Sequence, residues 1–393
     1  MNAISTPATG RKTLHLPPQY DVAVFIGRFQ PFHHGHLAVV REALKRALNL
    51  CILIGSANAP RSHRNPFTYN ERVRMILDSV EPEERARIII KPLEDCAYND
   101  AQWVRNAQMA VSLATAKPPL AWPVDRLFEG PRIALIGHSK DASSYYLKLF
   151  PQWDSIEVPN VAGIAATPIR EAYFSNIAEM WLADCDGHRV GDLPQDRLVP
   201  GAVREFLTEF LDTPEYRYIK DEYEFILRYK AQWASTPYPV TFVTVDACVV
   251  QSGHVLLVRR RDRPGKGLWA LPGGFIGQGE RIEDAMLREL REETKIAVPA
   301  PVLRGSIVAS RVFDDPNRSA RGRTITHGYL IHLRPDTSLP EIRRKKGAKN
   351  SALPAVEGAD DAEKAQWVPL AKVTQDMMFE DHYSIIKCLT ALL

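Results

Sequence analysis

Residues 274–296, GFIGQGERIEDAMLRELREETKI, combine a helical hydrophobic pattern with acidic residues on the apolar side. Glu289 and Glu293 lie in the middle of the apolar arc of this helix, and Glu292 lies at its edge. At about 100° per residue, the apolar side chains of that arc face the body of a domain: Ile282, Ala285, Met286 and Leu290. The pattern therefore predicts a helix that turns three carboxylates, spaced i, i+3 and i+4, toward its own domain.

These three carboxylates need a positive charge between them. Like charges at this spacing repel by about 0.2–0.5 kcal/mol per pair on an exposed helix, and burial without a partner would cost far more. Carboxylate oxygens favour a hard cation, Mg²⁺ or Mn²⁺. We expect the glycines before the helix to let the backbone turn sharply and to leave room for a ligand. These glycines are Gly273, Gly274, Gly277 and Gly279.

The spacing from Gly274 through Glu280 to residues 288–293, RELREE, resembles the Nudix box, G-x5-E-x7-REUxEExGU, where U is a bulky apolar residue. The resemblance implies a hydrolase of nucleoside diphosphates linked to another group, with Mg²⁺ or Mn²⁺ as cofactor. Lys295 stands where the box has a glycine that ends the helix in a left-handed turn, so the departure concerns the helix exit. The metal ligands implied are Glu289, Glu292 and Glu293, and Glu292 is also taken as catalytic. A solvated acidic helix is the alternative.

Length and composition indicate two domains. A chain of 393 residues exceeds one ordinary core, and a net charge of +3 gives no reason to invoke nucleic acid or a membrane as partner. The N-terminal residues lack signal-peptide character, and no apolar run reaches the roughly 18 residues of a membrane span. The cysteines contain no CxxC pair, which argues against zinc and a disulfide framework and fits a reducing cytoplasm. They are Cys51, Cys96, Cys185, Cys248 and Cys388.

The N-terminal half opens with a strand, a glycine turn and a helix. Residues 22–26 are an apolar run that ends in Gly27, and residues 36–48 have helical hydrophobic spacing. This order predicts a doubly wound α/β domain. Between the two elements, His33 and His36 can add donors to the unpaired N–H groups at the helix start, which favour phosphate.

Residues 27–36, GRFQPFHHGH, resemble the first signature of the nucleotidylyltransferase superfamily, in the wording of its nicotinamide mononucleotide adenylyltransferases. The resemblance implies a Rossmann-like fold, in which His33 and His36 are catalytic and His36 contacts the α-phosphate of ATP. The substrate-binding residues implied here are Gly27, Arg28 and Phe29. Taken singly, either histidine could be an ordinary capping residue.

Residues 164–171, IAATPIRE, resemble the ISxTxxR signature of the same family. We expect Thr167 to cap a helix that begins at Pro168, with Arg170 in its first turn as a catalytic contact to the ATP phosphates. Ala165 replaces the usual serine, so one hydroxyl contact is lost and a lower ATP affinity is expected. A plain capped helix is the alternative.

Further blocks between these signatures agree with the same family. Residues 65–68, NPFT, followed by Glu71 and Arg72, resemble the segment after the second strand. Trp103 corresponds to an aromatic residue that stacks on the nicotinamide ring, with a core tryptophan as the alternative. Residues 133–141, IALIGHSKD, predict a buried strand that runs into a ligand loop. The resemblance implies that the binding residues of that loop are His138, Lys140 and Asp141.

We expect a nucleotidylyltransferase domain at residues 19–185, a helical bridge and linker at 186–238, and a Nudix domain at 239–393. The helix start at Thr213 and the prolines at 235–239 set the limits of the bridge. Strands at 240–250 and 255–259, then the acidic helix and more strands, predict the α/β/α sandwich of Nudix domains. The arginines at 259–263 are phosphate contacts or a solvated edge.

Residues 311–330 resemble the substrate loop of the ADP-ribose pyrophosphatase branch, in which Arg321 and Arg323 would contact diphosphate or ribose. The resemblances together imply an enzyme that makes NAD from ATP and nicotinamide mononucleotide and hydrolyses ADP-ribose. An alternative is an active adenylyltransferase whose Nudix domain only senses ADP-ribose, and another is activity on other nucleotides in both halves. The sequence leaves the oligomeric state open, a homo-oligomer included.

Overall fold

A computed structural model describes residues 18–116, 130–137, 147–159, 163–175, 198–334 and 353–393. They form two β-sheets flanked by helices, one sheet in each half of the chain. Within these residues, no helix combines the length and the apolar composition needed to cross a membrane. Each of the four cysteines in them is a free thiol.

The first sheet has the strand order β3-β2-β1-β4-β5, and every pairing is parallel. Its strands are β1 Tyr20–Gly27, β2 Ala47–Ile54, β3 Ile88–Pro92, β4 Ile133–Gly137 and β5 Asp154–Glu157. The strand order reverses between β1 and β4, where open α/β sheets bind ligands beside the carboxyl ends of their strands. The predicted doubly wound, Rossmann-like fold is confirmed.

Helices cover both faces of this sheet. They are α1 His34–Arg46, α2 Tyr69–Leu77, α3 Pro82–Arg85, α4 Asp100–Thr115 and α5 Ala166–Phe174. The prediction that the first helix extends to residue 48 is wrong, because Ala47 already pairs with Tyr20 in the sheet. Ala47 is fully buried, so its apolar character suited the helical pattern and the strand equally well.

Two helices follow, α6 Gly201–Leu211 and α7 Pro214–Ala231, and both pack on the N-terminal core. Thr213 caps α7 as predicted, since its hydroxyl accepts the Tyr216 N–H at 3.1 Å. The Tyr216 hydroxyl donates to the backbone oxygen of Tyr173 at 3.0 Å. Further along α7, Glu222 accepts the N–H of Gly265 in the C-terminal half at 2.7 Å. The helix thus contacts both halves of the chain.

The second sheet has the order β10-β11-β6-β7-β12, with β8 paired to β7 and β9 paired to β6. Its strands are β6 Thr241–Gln251, β7 His254–Arg260, β8 Trp269–Ala270, β9 Gly273–Phe275, β10 Ile307–Phe313, β11 Arg323–His332 and β12 Ala362–Pro369. Strands β6 and β11 run parallel, whereas the other pairs are antiparallel. Ser252 and Gly253 connect β6 to β7 with positive φ angles of 47° and 71°, as a tight hairpin requires.

Helices α8 Ile282–Thr294, α9 Ala300–Gly305 and α10 His382–Thr390 complete the C-terminal half. Alternate residues of β6 point to opposite faces of the sheet. One set packs with Met286 and Leu290 of α8: Val245, Ala247 and Val249. The other set packs with Ile385 and Leu389 of α10: Cys248 and Val250. The predicted mixed α/β sandwich is confirmed, with one buried layer on each side of the sheet.

Candidate active sites

His33 and His36 form a reciprocal cap at the start of α1. The Nδ1 atom of His33 accepts the His36 N–H at 3.3 Å, and the Nδ1 atom of His36 accepts the His33 N–H at 3.3 Å. The two rings stack with centroids 3.6 Å apart. Because both Nδ1 atoms accept, each neutral ring carries its proton on Nε2. The backbone therefore fixes the tautomer that can donate to a phosphate oxygen.

Gly27, Phe29 and Gly35 keep this histidine pair in place. Phe29 is buried with a φ of 52°, and its ring lies 4.8 Å from the His36 ring. A Cβ on Gly27 would lie 2.8 Å from that Phe29 ring, and a Cβ on Gly35 would lie 3.0 Å from the His33 ring. The side chain of Phe29 thus supports His36 from within the core.

Arg170 lies beneath the same site. Its Nη1 donates to the backbone oxygen of Gln30 at 2.7 Å, and its Nη2 donates to the Thr167 hydroxyl at 3.1 Å. The prediction that Thr167 caps the helix is wrong. Helix α5 begins two residues earlier, with Ala165 as an N-cap that offers no side-chain acceptor. Thr167 instead orients Arg170, and the N-terminal N–H groups of α5 have no side-chain cap.

Positive charge accumulates around Arg170. Burial, together with the charges of Arg28 and Arg64, lowers the pKa of Arg170 to about 10. Burial also lowers the pKa of His63 to about 3, with contributions from Arg64 and Arg170. Like charges depress one another's pKa values in this way when no anion compensates them. The cluster therefore suits a polyanion such as a triphosphate.

Two buried side chains that the sequence analysis left unassigned brace this site. The side-chain amide of Gln30 donates to the backbone oxygen of Phe67 and accepts from its N–H, at 2.8 and 3.0 Å. Arg72 is fully buried and donates to the backbone oxygens of Arg28, Gly55 and Ser56. Both residues stand inside the family signatures, but the sequence gives no sign that they bind backbone.

Arg28 and Trp103 line one cavity of about 530 Å³. Trp103 lies in the first turns of α4, with its ring 6.0 Å from the Phe150 ring, and it is only partly buried. His138, Lys140 and Asp141 lie outside the described residues. The strand that leads to them, β4, is present as predicted.

In the C-terminal half, α8 presents its glutamates as the sequence predicts. Glu293 is 7% exposed, the Glu289 side chain 13% and the Glu292 side chain 45%. A positive charge does lie between them, and it is the guanidinium of Arg288, whose Nη1 donates to Glu289 and to Glu292 at 2.9 Å each. Its Nε and Nη2 atoms bind Glu280.

Glu293 is the most buried acid of this set. Its Oε2 atom accepts the Gly273 N–H at 2.9 Å. Burial, together with the charge of the neighbouring Glu289, raises the pKa of Glu293 to about 8 despite that hydrogen bond. Burial also raises the pKa of Glu289, which Arg288 partly counteracts.

The glycines before α8 permit close packing of the chain. Gly273 and Gly274 lie in β9, and neither has a positive φ, so the expected sharp turn at these two glycines is wrong. A Cβ on Gly273 would lie 2.0 Å from the backbone oxygen of Val245, and one on Gly274 would lie 2.7 Å from the Glu289 carboxylate. Lys295 keeps the left-handed helix exit expected of glycine, with φ 45° and ψ 34°.

The acidic cluster has the donor set of a hard-cation site. No three His, Cys, Asp or Glu side chains in the described part of the chain already converge closely enough to hold an ion. However, oxygens of Glu289 and Glu292 meet at a single Arg288 nitrogen, 2.9 Å from each. Two carboxylates that share one cationic atom can share a metal ion, so these residues fit such an ion.

The arginines near this cluster separate into two groups. Arg260 is half-buried, its guanidinium lies 4.1 Å from the Phe379 ring centroid, and the charge of Glu293 acts on it. Arg321 lies over the Phe275 ring at 5.3 Å. Arg323, in contrast, donates to the backbone oxygen of Asp314 at an exposed position. Arg263 is paired with acids of α7, Asp221 and Glu222.

The fold and both sites define a chain that joins a nucleotidyltransferase to a Nudix domain. Residues 24–113 match the cytidylyltransferase-like family, and residues 240–389 match the NUDIX domain family. The nicotinamide/nicotinic acid mononucleotide adenylyltransferase of Acinetobacter baylyi is 34% identical over 206 residues, which is 52% of this chain and 94% of that relative. The ADP-ribose pyrophosphatase of Methanocaldococcus jannaschii is 35% identical over 91 residues, 23% of this chain and half of that relative.

The similarity to solved structures extends over almost the whole chain. One of them is a bifunctional NMN adenylyltransferase/ADP ribose pyrophosphatase from Francisella tularensis, complexed with AMP and a Mn ion. The two chains are 34% identical with a TM-score of 0.77, over 95% of this chain and 99% of that one. This chain belongs to the family of bifunctional NMN adenylyltransferase/ADP-ribose pyrophosphatases.

Proposed function

We propose that this chain is a bifunctional enzyme of NAD metabolism. The N-terminal domain transfers AMP from ATP to nicotinamide mononucleotide, giving NAD and pyrophosphate. The C-terminal domain hydrolyses ADP-ribose to AMP and ribose 5-phosphate. The observation that supports this proposal is the alignment of both domains, in one chain and in one order, with the Francisella tularensis protein over 95% of the length.

In the first reaction, an oxygen of the mononucleotide 5′-phosphate attacks the α-phosphorus of ATP. The bond from that phosphorus to the bridging oxygen breaks, and pyrophosphate leaves with the electron pair. No protein nucleophile is needed, so catalysis comes from positioning and from stabilising charge on the triphosphate. The Nε2–H groups of His33 and His36 and the guanidinium of Arg170 supply that stabilisation.

In the second reaction, water attacks one phosphorus of the ADP-ribose diphosphate. Glu289, Glu292 and Glu293 would hold a divalent cation, Mg²⁺ or Mn²⁺, which when bound would polarise phosphoryl oxygens and lower the pKa of water. Arg260, the half-buried cation beside Glu293, would bind the diphosphate, and Arg321 is a second candidate. Until the ion arrives, Arg288 neutralises Glu289 and Glu292.

The test separates the two activities in one protein. Glu292→Gln should lower ADP-ribose hydrolysis by about 10²–10³-fold, the range found when one electrostatic contact to a transition state is removed. NAD synthesis from ATP and nicotinamide mononucleotide should stay at the wild-type rate. Glu283→Gln is the matched control, because Glu283 lies on the same helix but pairs with Arg304 at an exposed position. Unchanged hydrolysis in Glu292→Gln would reject the proposed metal site, and loss of both activities would reject independent sites.

A further inference from the structure

The cavity that contains Arg28 and Trp103 is lined by both domains. Its volume of about 530 Å³ lies within the range of roughly 300–1,000 Å³ typical of small-molecule sites. The lining residues from the two halves include Arg28, Asp95 and Trp103 on one side and Asn317, Arg318 and Asp381 on the other. The C-terminal domain therefore closes a pocket that begins in the N-terminal domain.

Tyr98 connects the two domains at this pocket. Its hydroxyl donates to Oδ2 of Asp381 at 2.5 Å, and its ring packs edge-on against the Phe313 ring at 5.1 Å. Tyr98 thereby joins a hydrophobic core that otherwise consists of C-terminal residues. Its φ of 70° is unusual for a tyrosine and persists only where the surroundings hold it.

The acceptor for Tyr98 is rigid. Asp381 receives two hydrogen bonds from Arg318, one from Nε at 2.9 Å and one from Nη2 at 2.8 Å. The side chains of this pair are only 9% and 4% exposed. Burial and the negative charge of Asp381 raise the pKa of Tyr98, so its hydroxyl remains a donor throughout the physiological range. A bidentate, desolvated pair of this kind fixes the position of whatever binds to it.

Tyr98 transmits this fixed position to Trp103. The next residue, Asn99, caps α4 by accepting the Gln102 N–H at 3.0 Å, and Trp103 follows one residue later. Tyr98 and Asn99 are therefore the last residues before the helix that carries the tryptophan. An anchor at Tyr98 sets both the start and the direction of that helix.

A second segment of the N-terminal site is anchored on the same C-terminal loop. Arg64 donates to the backbone oxygens of Asn317 and Ser319, at 2.7 and 3.3 Å. Its neighbour Asn65 accepts from the side-chain amide of Gln30, whose backbone oxygen binds Arg170. Asn317 and Ser319, the residues on either side of Arg318, thus bind Arg64. The residue after Arg64 is linked through Gln30 to Arg170.

We infer that the C-terminal domain forms one wall of the mononucleotide pocket of the adenylyltransferase, with Asp381 and Arg318 as positioning residues that hold Tyr98 and, through it, Trp103. This inference rests on the proposed function of the N-terminal domain. It goes beyond that function because residues of the hydrolase domain then determine how the transferase binds the substrate that accepts AMP.

The test uses Tyr98→Phe in the full-length chain, which removes the hydroxyl and keeps the ring against Phe313. The KM for nicotinamide mononucleotide should rise about tenfold, the effect of losing a hydrogen bond of ordinary strength. The kcat for NAD synthesis, the KM for ATP and the rate of ADP-ribose hydrolysis should change less than about twofold, since Tyr98 contacts none of those sites in the described structure. Tyr69→Phe is the control, because its hydroxyl binds Ile90 within the N-terminal domain.

Asp381→Asn weakens the hydrogen bond between Tyr98 and residue 381 by changing its acceptor in the C-terminal domain. It should raise the KM for nicotinamide mononucleotide in the same selective way, and ADP-ribose hydrolysis by the same sample reports that the C-terminal domain is folded. A wild-type KM for the mononucleotide in both variants would overturn the inference, as would an equal rise in the KM for ATP. A wild-type protein that makes no NAD would instead reject the proposed function.

Discussion

Single residues show which parts of the two sites follow from local pattern. The depth of Glu289, Glu292 and Glu293 follows from their angular positions on one helix, and the structure reproduces their predicted order of exposure. The role of Arg318 could not be predicted in this way, because its partner Asp381 lies 63 positions away and only the folded sheet brings them together. The ion pair of Arg288 with Glu292 could have been predicted from local spacing, since Arg288 lies four residues before Glu292 on the same helix.

The raised pKa of Glu293 gives a pH dependence with a definite sign. The folded protein holds the proton up to a pKa of about 8, whereas the unfolded chain releases it near the ordinary value of 4.5. In the metal-free protein, the stability that this group contributes is present below pH 4.5 and is lost as the pH rises toward 8, by at most about 1.4 kcal/mol per pH unit.

Glu293→Gln cannot titrate, so it isolates this contribution. The free energy of unfolding of the metal-free wild type should fall relative to that of Glu293→Gln between pH 5 and pH 8, roughly the interval between the two pKa values. Urea unfolding of both proteins at several pH values in this interval measures the difference. A difference that stays constant across the interval would show that Glu293 does not titrate there.

Gly274 tests how closely the backbone must approach Glu289. In Gly274→Ala, the new Cβ would lie 2.7 Å from the carboxylate and would displace it. We expect ADP-ribose hydrolysis to fall by about 10²-fold, since a shift of about 1 Å in a catalytic group costs that much, while NAD synthesis is unaffected. Gly279→Ala is the control, because nothing lies within 4 Å of its added Cβ. Equal activity of the two variants would contradict this packing argument.

At the level of elements, the sequence located the helices better than it located their ends. Helix α5 begins at Ala166 although Thr167 and Pro168 form a familiar helix-start pair. The preference for Thr–Pro at a helix start is local and weak, and here the contact of Thr167 with Arg170 outweighs it. At the end of α8, Lys295 adopts the left-handed conformation although lysine does not favour it. The backbone oxygen of Arg291 accepts the Lys295 N–H there.

The uncapped start of α5 leads to a prediction about ATP. In Ala165→Ser, a hydroxyl at the N-cap would stabilise the helix by about 0.5–2 kcal/mol and would restore the serine usual in the signature. We expect a several-fold lower KM for ATP and a higher melting temperature. Ala172→Ser places the same hydroxyl on the same helix away from its start, and steady-state kinetics of both variants with ATP measure the contrast. A KM that falls equally in both would refute the role of the cap.

At the scale of the whole molecule, both folds and their order were predictable because each half carries a signature that includes its ligand-binding turn. The cavity between the halves was not predictable. Its walls come from residues 28–103 and 218–381, and nothing in either stretch indicates the other. Contacts such as that of Arg64 with Asn317 depend on how two finished domains pack, which hydrophobic periodicity within one domain does not encode.

Tyr98 packs among side chains of the C-terminal domain, and this limits which hydrolase domains could replace that domain. A hydrolase domain grafted from a free-standing enzyme, with hydrocarbon where Asp381 stands, would enclose a phenol that has nothing to donate to. Such an orphaned polar group costs about 1–3 kcal/mol. Replacement of one domain therefore requires a compensating substitution in the other, so we expect the sequences of the two domains to change together during evolution.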